Sequence, residues 1–173
     1  MPEPPTLGRA TLTVEMVIRL CAEADLPALE WMGLFSPHRA VIRDAFEAQQ
    51  RGDGLMLLAL TAGFPVGQVW IDLARKRGEG TAVLWAVRTF PPLQGAGIGR
   101  HLMTAAERIL RERGIHRAEL GVERANEGAR RFYERLGWRE AGTLRETFRF
   151  TDPEGRILEE PLDQWRMVKD LDG

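Results

Sequence analysis

The chain is poor in the residues that build staples and metal centres. Cys21 is its single cysteine. No disulfide can form within the chain, and no cysteine-built metal cluster is possible. A lone cysteine of this kind reads as a small buried hydrophobe. Histidine is scarce too: His38, His101 and His116 are scattered, with no i, i+4 pair to grip a metal. No apolar run approaches the roughly 18 residues that span a bilayer. The opening "MPEPPTLGRA" has no hydrophobic signal core and reads as a Pro-rich leader over residues 1–13. A net charge of −1 lacks the basic excess of a nucleic-acid binder. Lys76 and Lys169 are the only lysines among 24 basic residues, and Tyr133 is the only tyrosine. The arginine excess suits bidentate anion contacts, although genome composition produces the same bias. These absences point to a cytoplasmic protein, monomer or homodimer, with no metal, nucleic-acid or membrane partner.

What is present fits one domain over residues 14–173: 44% of the chain is hydrophobic and 28% charged. "VEMVIRL" (14–20) reads as a strand, and Asp25 as the cap of a short helix. Ser36-Pro37 signals a second helix start, and the helix turns Val41, Ile42, Ala45 and Phe46 inward. "LMLLALTA" (55–62), "VGQVWIDL" (66–73) and "TAVLWAVRT" (81–89) are strands with short links, hence antiparallel neighbours. Ile98, Leu102, Ala105 and Ile109 recur at steps of four, three and four, a helix with one buried face. "RAELGV" (117–122) is a strand. Asn126 opens a helix that buries Ala129, Phe132, Tyr133 and Leu136. "WREAGTLRETFRF" (138–150) and "QWRMVKDL" (164–171) close the chain as strands. The segment 81–122 is a strand-helix-strand unit, so its two strands are parallel. The expected fold class is α/β (α+β): a mixed, mostly antiparallel sheet of about seven strands, a parallel strand-helix-strand centre and flanking helices.

The stretch "QGAGIGR" (94–100) places three glycines between a strand and a helix. Glycine costs roughly 1 kcal/mol relative to alanine within a helix, so a reason is needed. Glycine admits positive φ and lets a ligand approach the backbone. The first turn of a helix offers unpaired N–H groups and partial positive charge. Together they make a phosphate site; a tight turn alone would also use glycine. A Walker loop would end in Gly-Lys-Ser/Thr, but Gly99 is followed by Arg100-His101. A dinucleotide fingerprint would need glycine where Arg100 stands.

A third pattern uses more of the chain. "QGAGIGR" has the form Gln/Arg-x-x-Gly-x-Gly, and about thirty residues later comes "NEGARRFYERLGW" (126–138). With both motifs at this spacing, the sequence resembles the GNAT superfamily of acyl-CoA-dependent N-acyltransferases. The order of predicted elements is similar to that fold from Val17 to Leu171. The resemblance implies acetyl-CoA as co-substrate. It implies that Gln94, Gly95, Ala96, Gly97, Ile98, Gly99 and Arg100 hold the pyrophosphate. It implies that the strand end Val87, Arg88 and Thr89 meets the pantetheine arm through its backbone, and that Asn126, Arg130 and Tyr133 lie beside arm and thioester. The family often has valine two residues before proline at this strand end; here Thr89 and Pro91 stand there.

The implied reaction is direct transfer of acetyl to the primary amine of a small-molecule acceptor. Oxyanion donors would come from backbone amides at the strand end. Tyr133 would protonate the departing sulfur; a core aromatic with its hydroxyl at the surface is the bland alternative. Asn126 could be a helix cap alone. Asp72, Glu79 and Glu119 are possible bases. Trp31, Phe35 and His38 from the helical region, with Trp70 and Asp72 from the sheet, are the expected acceptor wall. Two other readings stay open: a protein N-terminal or lysine acetyltransferase, and a non-catalytic acyl-CoA-binding module.

Overall fold

The structure is a computed structural model that describes residues 1–172. Gly173, the last residue of the expected domain, lies outside the described residues. Among the described residues seven strands form a single sheet: β1 Val17–Leu20, β2 Gly54–Thr61, β3 Phe64–Asp72, β4 Thr81–Thr89, β5 Arg117–Glu123, β6 Arg139–Thr151 and β7 Ile157–Asp170. Their spatial order is β1-β2-β3-β4-β5-β7-β6. The β4–β5 pair is parallel and the other pairs are antiparallel. The α-helices α1 Arg39–Arg51, α2 Ile98–Glu112 and α3 Glu127–Arg135 pack around it with short 3-10 turns. This is the mixed sheet that the sequence implies. No helix among the described residues is long and apolar enough to cross a membrane.

Period-two alternation divides the strands' side chains between two cores. Leu55, Leu57, Val69, Ile71 and Leu84 face Leu102, Met103, Ala106 and Leu110 of α2. Met56, Leu58, Leu60 and Trp70 face Ile42, Ala45 and Phe46 of α1. β2 is buried on both faces, which is why "LMLLAL" is an unbroken apolar run. Each fully buried leucine contributes about 1.5–3 kcal/mol by leaving water. At Gly67 a Cβ would come within 2.8 Å of Ile98 Cγ2 and 2.9 Å of Leu102 Cδ1. Glycine there lets the start of α2 lie directly on β3.

Three local expectations are corrected. The stripe of α2 that meets the sheet is Ile98, Leu102, Met103, Ala106 and Leu110, while Ala105 and Ile109 are half-buried at its edge. At 3.6 residues per turn the true stripe is rotated by one position from the expected one. Asp25 is no N-cap: it sits inside the 3-10 helix Glu23–Glu30 and reaches back to accept the Ala22 N–H at 2.7 Å. Arg19 grips the same carboxylate with both nitrogens, at 2.7 and 3.0 Å. The last strand begins at Ile157, seven residues earlier than read. Cys21 is buried, and burial pushes its thiol up to about 12, as suits an inert core residue.

Candidate active site

The glycine loop leaves backbone amides open at the start of a helix. After the turn Pro91–Leu93, Gln94 is extended, and Gly95 and Gly97 have φ of +84° and +89°. Side chains at these φ values would be strained. α2 starts at Ile98 with Gly97 as its cap, and among the described residues no side chain accepts its first N–H groups. A Cβ built at Gly95 would meet nothing within 4 Å. At Gly99 it would lie 3.3 Å from Phe132 Cζ and 3.8 Å from Thr89 Oγ1. The first turn of α2, the end of β4 and α3 therefore converge here. Arg100, exposed on that turn, has no carboxylate partner among the described residues. Unpaired amides, the positive helix end and a free guanidinium suit a phosphate.

β4 is the hinge of the site. Its parallel pairing with β5 covers only Thr81–Val83 against Arg117–Glu119. Beyond Val83 the strands part, and β5 continues on β7 alone. From Leu84 on, the backbone groups of β4 facing that gap lack a strand partner. On its other edge β4 carries a bulge: Gln68 pairs with Arg88 and Trp70 with Trp85, so Ala86 and Val87 oppose Val69 alone. Ala86 has φ +49°, rare for a residue with a Cβ. Gln68, 2% exposed, holds the bulge by donating Nε2–H to the Ala86 carbonyl at 3.1 Å.

Tyr133 is 7% exposed in the α2-side core, edge-on to Phe132 and Trp138. Its hydroxyl makes no hydrogen bond among the described residues, and burial pushes its pKa up to about 12. Asn126 caps α3 by accepting the Ala129 N–H at 3.0 Å. Arg130 donates to Glu134 at 3.0 Å and Glu140 at 2.7 Å, and lies over the Trp165 ring. The structure thus gives Asn126 a capping task and commits Arg130 to carboxylates, whereas Arg100 is uncommitted.

On the α1 side of the sheet, a cavity of about 640 Å³ opens over β4. Phe35, His38 and Val41 form one wall; Leu144, Glu146 and Phe148 of β6 with Glu160 and Leu162 of β7 form the other. Trp70, Asp72, Trp85, Ala86 and Arg88 form the floor, which reaches Gly121 and Gln164 across the gap beyond β4. Phe35, His38, Trp70 and Asp72 are thus brought together. Trp31 is not on the wall: it is 4% exposed, its indole donates to the Pro65 carbonyl at 2.9 Å, and it backs Phe35 edge-on. His38 stacks on Phe150 at 4.5 Å, and burial holds its pKa below the ordinary value, with Arg88 adding to the effect.

The three possible bases differ in place. Asp72 lines the cavity; its Oδ1 accepts the N–H groups of Ala74 and Arg75, at 2.9 and 3.0 Å. Glu119 is buried and held by Lys76 at 2.5 Å and Arg166 at 2.8 Å. Glu79 shares with Glu119 a surface pocket apart from the cavity, beside His116 and Asp170. Sequence reading missed Gln68, Arg88's side chain, Glu146, Phe148 and Glu160. Only Gln68 left a trace, as the lone polar residue inside an apolar strand.

A model of the acetyltransferase (GNAT) family matches residues 17–138. The chain belongs to that family. Its domain is a GNAT acetyltransferase domain, from a family that uses acetyl-CoA. Part of the chain is similar to mycothiol acetyltransferases. The one from Propionibacterium freudenreichii subsp. shermanii is 34% identical over 85 residues, 49% of this chain and 27% of that protein. The one from Rhodococcus jostii is 37% identical over 75 residues, 42% of this chain and 25% of that protein. The matched segment thus spans about a quarter of these relatives' length. Among solved structures, a Brucella melitensis ribosomal-protein-alanine N-acetyltransferase aligns with TM-score 0.70 at 25% identity, over 89% of this chain and 99% of that one. A Salmonella typhimurium protein solved with its cofactor acetyl-CoA aligns with TM-score 0.71 at 21% identity, over 92% and 95%; that likeness supports the fold.

Proposed function

We propose that this domain transfers an acetyl group from acetyl-CoA to the primary amine of a small molecule held in the cavity over β4. The observation that carries the reading is the junction at Ala86: the bulge, the gap between β4 and β5 and the acceptor cavity meet at one place. The residues present fit acetyl-CoA. The amides of 95–100 with Arg100 would hold its pyrophosphate, and the unpaired edge of β4 from Val87 to Thr89 would hold its amide-rich arm. When bound, it supplies the activated acyl group as a thioester.

The chain's own residues do the rest. The aromatic floor and walls strip water from the acceptor. A free amine near pKa 10 arrives as ammonium and must lose a proton. Asp72, on the cavity floor with Oδ2 uncommitted, takes it; Glu119 is tied by two cations and keeps a structural task. Backbone N–H groups at the β4 bulge stabilise developing negative charge on the acyl oxygen. The Tyr133 hydroxyl donates to the leaving sulfur. The names of the mycothiol acetyltransferases support a small-molecule acceptor. Release of free CoA thiol should be measured across amines, polyamines, aminoglycosides, amino acids and N-terminal peptides, with products identified by mass spectrometry. Small amines are expected to be acetylated. Turnover confined to ribosomal-type peptides would move the acceptor to protein N-termini, and CoA binding without turnover would make the domain a binding module.

A further inference from the structure

Arg88 is the charged group of the cavity whose chemistry is unmet. Its guanidinium carbon lies 3.9 Å from the centre of the Phe35 ring, and the side chain lines the cavity. Burial pulls its pKa below the ordinary value, and the Glu160 charge opposes this. Among the described residues it makes no side-chain hydrogen bond and no ion pair. Of the other charges there, Arg75 and Glu146 pair at 2.9 Å and Asp72 Oδ1 accepts two backbone N–H groups, while Glu160, 3.8 Å from a His38 that burial holds towards its neutral form, acts on Arg88 through its charge alone. A half-buried guanidinium ordinarily finds acceptors for its donors. Stacked on a ring, it keeps its in-plane N–H groups available.

We propose that Arg88 is the specificity-determining residue that binds a carboxylate on the acceptor, so that the acceptor is a carboxylate-bearing amine of the amino-acid class. This rests on the reading of the cavity as the acceptor site. A planar carboxylate matches the guanidinium fork in a bidentate pair. A phosphate dianion fits less well, because Arg75 is already committed and Asp72, Glu146 and Glu160 make the surroundings acidic. The apolar part of the acceptor packs against Phe35, Phe148 and Trp85.

The test is calorimetric titration of the intact protein, without CoA, with 3-phenylpropanoate and with 3-phenylpropanamide. The acid is expected to bind at least about tenfold tighter, the scale of a hydrogen bond to a charged group. Arg88→Met keeps an apolar stem against Phe35 and should erase the difference, leaving the amide's affinity within about twofold, since only the charge-assisted bond is removed. Arg88→Lys should restore part of it, because the charge returns without the fork. Melting curves of both variants check folding. Equal affinities in the wild type, or a preference that survives in folded Arg88→Met, would overturn the proposal and leave Arg88 as the counter-charge of Glu160. In a second arm, thiol release is measured with L-phenylalanine and phenethylamine. Preference for the amino acid supports the proposal. An acid preference in binding with no acetylation of either amine would uphold Arg88 as a carboxylate site and overturn the acetyl-transfer reading instead.

Discussion

Replacing Tyr133 with phenylalanine separates two roles for its hydroxyl. Burial pushes this phenol up to about 12, while an ordinary thiol lies near 8.5. Complete proton transfer from Tyr133 to a departing thiolate would be uphill by about 3.5 units, or roughly 5 kcal/mol at 1.36 kcal/mol per unit. A hydrogen bond to a charged acceptor returns only about 1.5–3 kcal/mol. Donation of a hydrogen bond therefore wins over transfer, and the sulfur leaves as a thiolate. Tyr133→Phe should lower kcat by about 10- to 100-fold, the rate equivalent of that bond. The KM for acetyl-CoA should stay nearly constant, because the ring still packs on Phe132 and Trp138. The wild-type rate should show no alkaline limb owing to Tyr133 below pH 11. Stability supplies an independent check of the pKa. The folded value lies above the unfolded one near 10, so the folded state holds the proton longer. Wild-type stability should fall relative to Tyr133→Phe as pH rises from 10 towards 12, by at most about 1.4 kcal/mol per pH unit. Stopped-flow and steady-state thiol release across pH, with melting curves, cover all of these. A folded variant with wild-type kcat would remove Tyr133 from the reaction. A tyrosine-dependent limb near pH 9–10 would refute the ordering of acidities on which the hydrogen-bond role rests.

Gly97→Glu puts a side chain and a negative charge on a residue at φ +89° in the glycine loop. Acetyl-CoA affinity by calorimetry should drop at least about tenfold from Coulomb repulsion and strain together; unchanged affinity in a folded variant would move the pyrophosphate elsewhere. Asp72→Asn should lower kcat by about 10²-fold, the low end for a general base, with little change in melting temperature. Glu119→Gln should do the reverse, lowering stability as Lys76 and Arg166 lose their shared partner. If it is Glu119→Gln that abolishes turnover in a folded protein, the base has been misassigned. Asp25→Asn should destabilise by about 1–2 kcal/mol near pH 7, because the Ala22 N–H and Arg19 lose a charged acceptor. Arg19 holds the folded pKa of Asp25 below the usual carboxylate value, so this difference is present above about pH 4 and vanishes as pH falls through the folded pKa. A difference that does not shrink as pH falls below 4 in thermal unfolding would contradict the ion pair.

The parts of this fold legible in the sequence are those fixed by local periodicity. β4 is legible at its observed limits because turn residues bracket "TAVLWAVRT" on both sides. Pro161 and the acidic pair Glu159-Glu160 break the apolar alternation, so the start of β7 carries no local strand signal. In the sheet, residues 157–163 pair only with β6, whereas β5 pairs from Gln164 on. On that stretch β7 has a free edge, where proline's missing N–H leaves nothing unsatisfied. The cavity over β4 is half legible for a related reason. Phe35, His38, Trp70 and Asp72 stand out by residue type, but Glu146, Phe148 and Glu160 reach the cavity only through the β6–β7 pairing. No local pattern encodes that meeting.

The bulge at Ala86 shows how much one residue can decide. In an unbroken strand, residues of equal parity share a face. Leu84 packs on the α2 side and Trp85 meets Trp70 edge-on on the α1 side. Strict alternation would then send Arg88 with Leu84, into the apolar core under α2, and Val87 with Trp85, into the cavity. The structure has the opposite: Val87 packs on the α2-side core and Arg88 lies over Phe35. The extra residue opposite Val69 reverses the parity of everything after it. Without it a guanidinium would enter a core of Leu102 and Ile98 unpaired, at a cost of several kcal/mol. The buried Gln68 amide, spent on the Ala86 carbonyl, therefore holds more than a kink. It keeps the face of Arg88 towards the cavity and the amides of the bulge at the gap beside β5. Alanine at 86 carries no sign of this, since its positive φ is imposed by the neighbouring strand and not by its own preference.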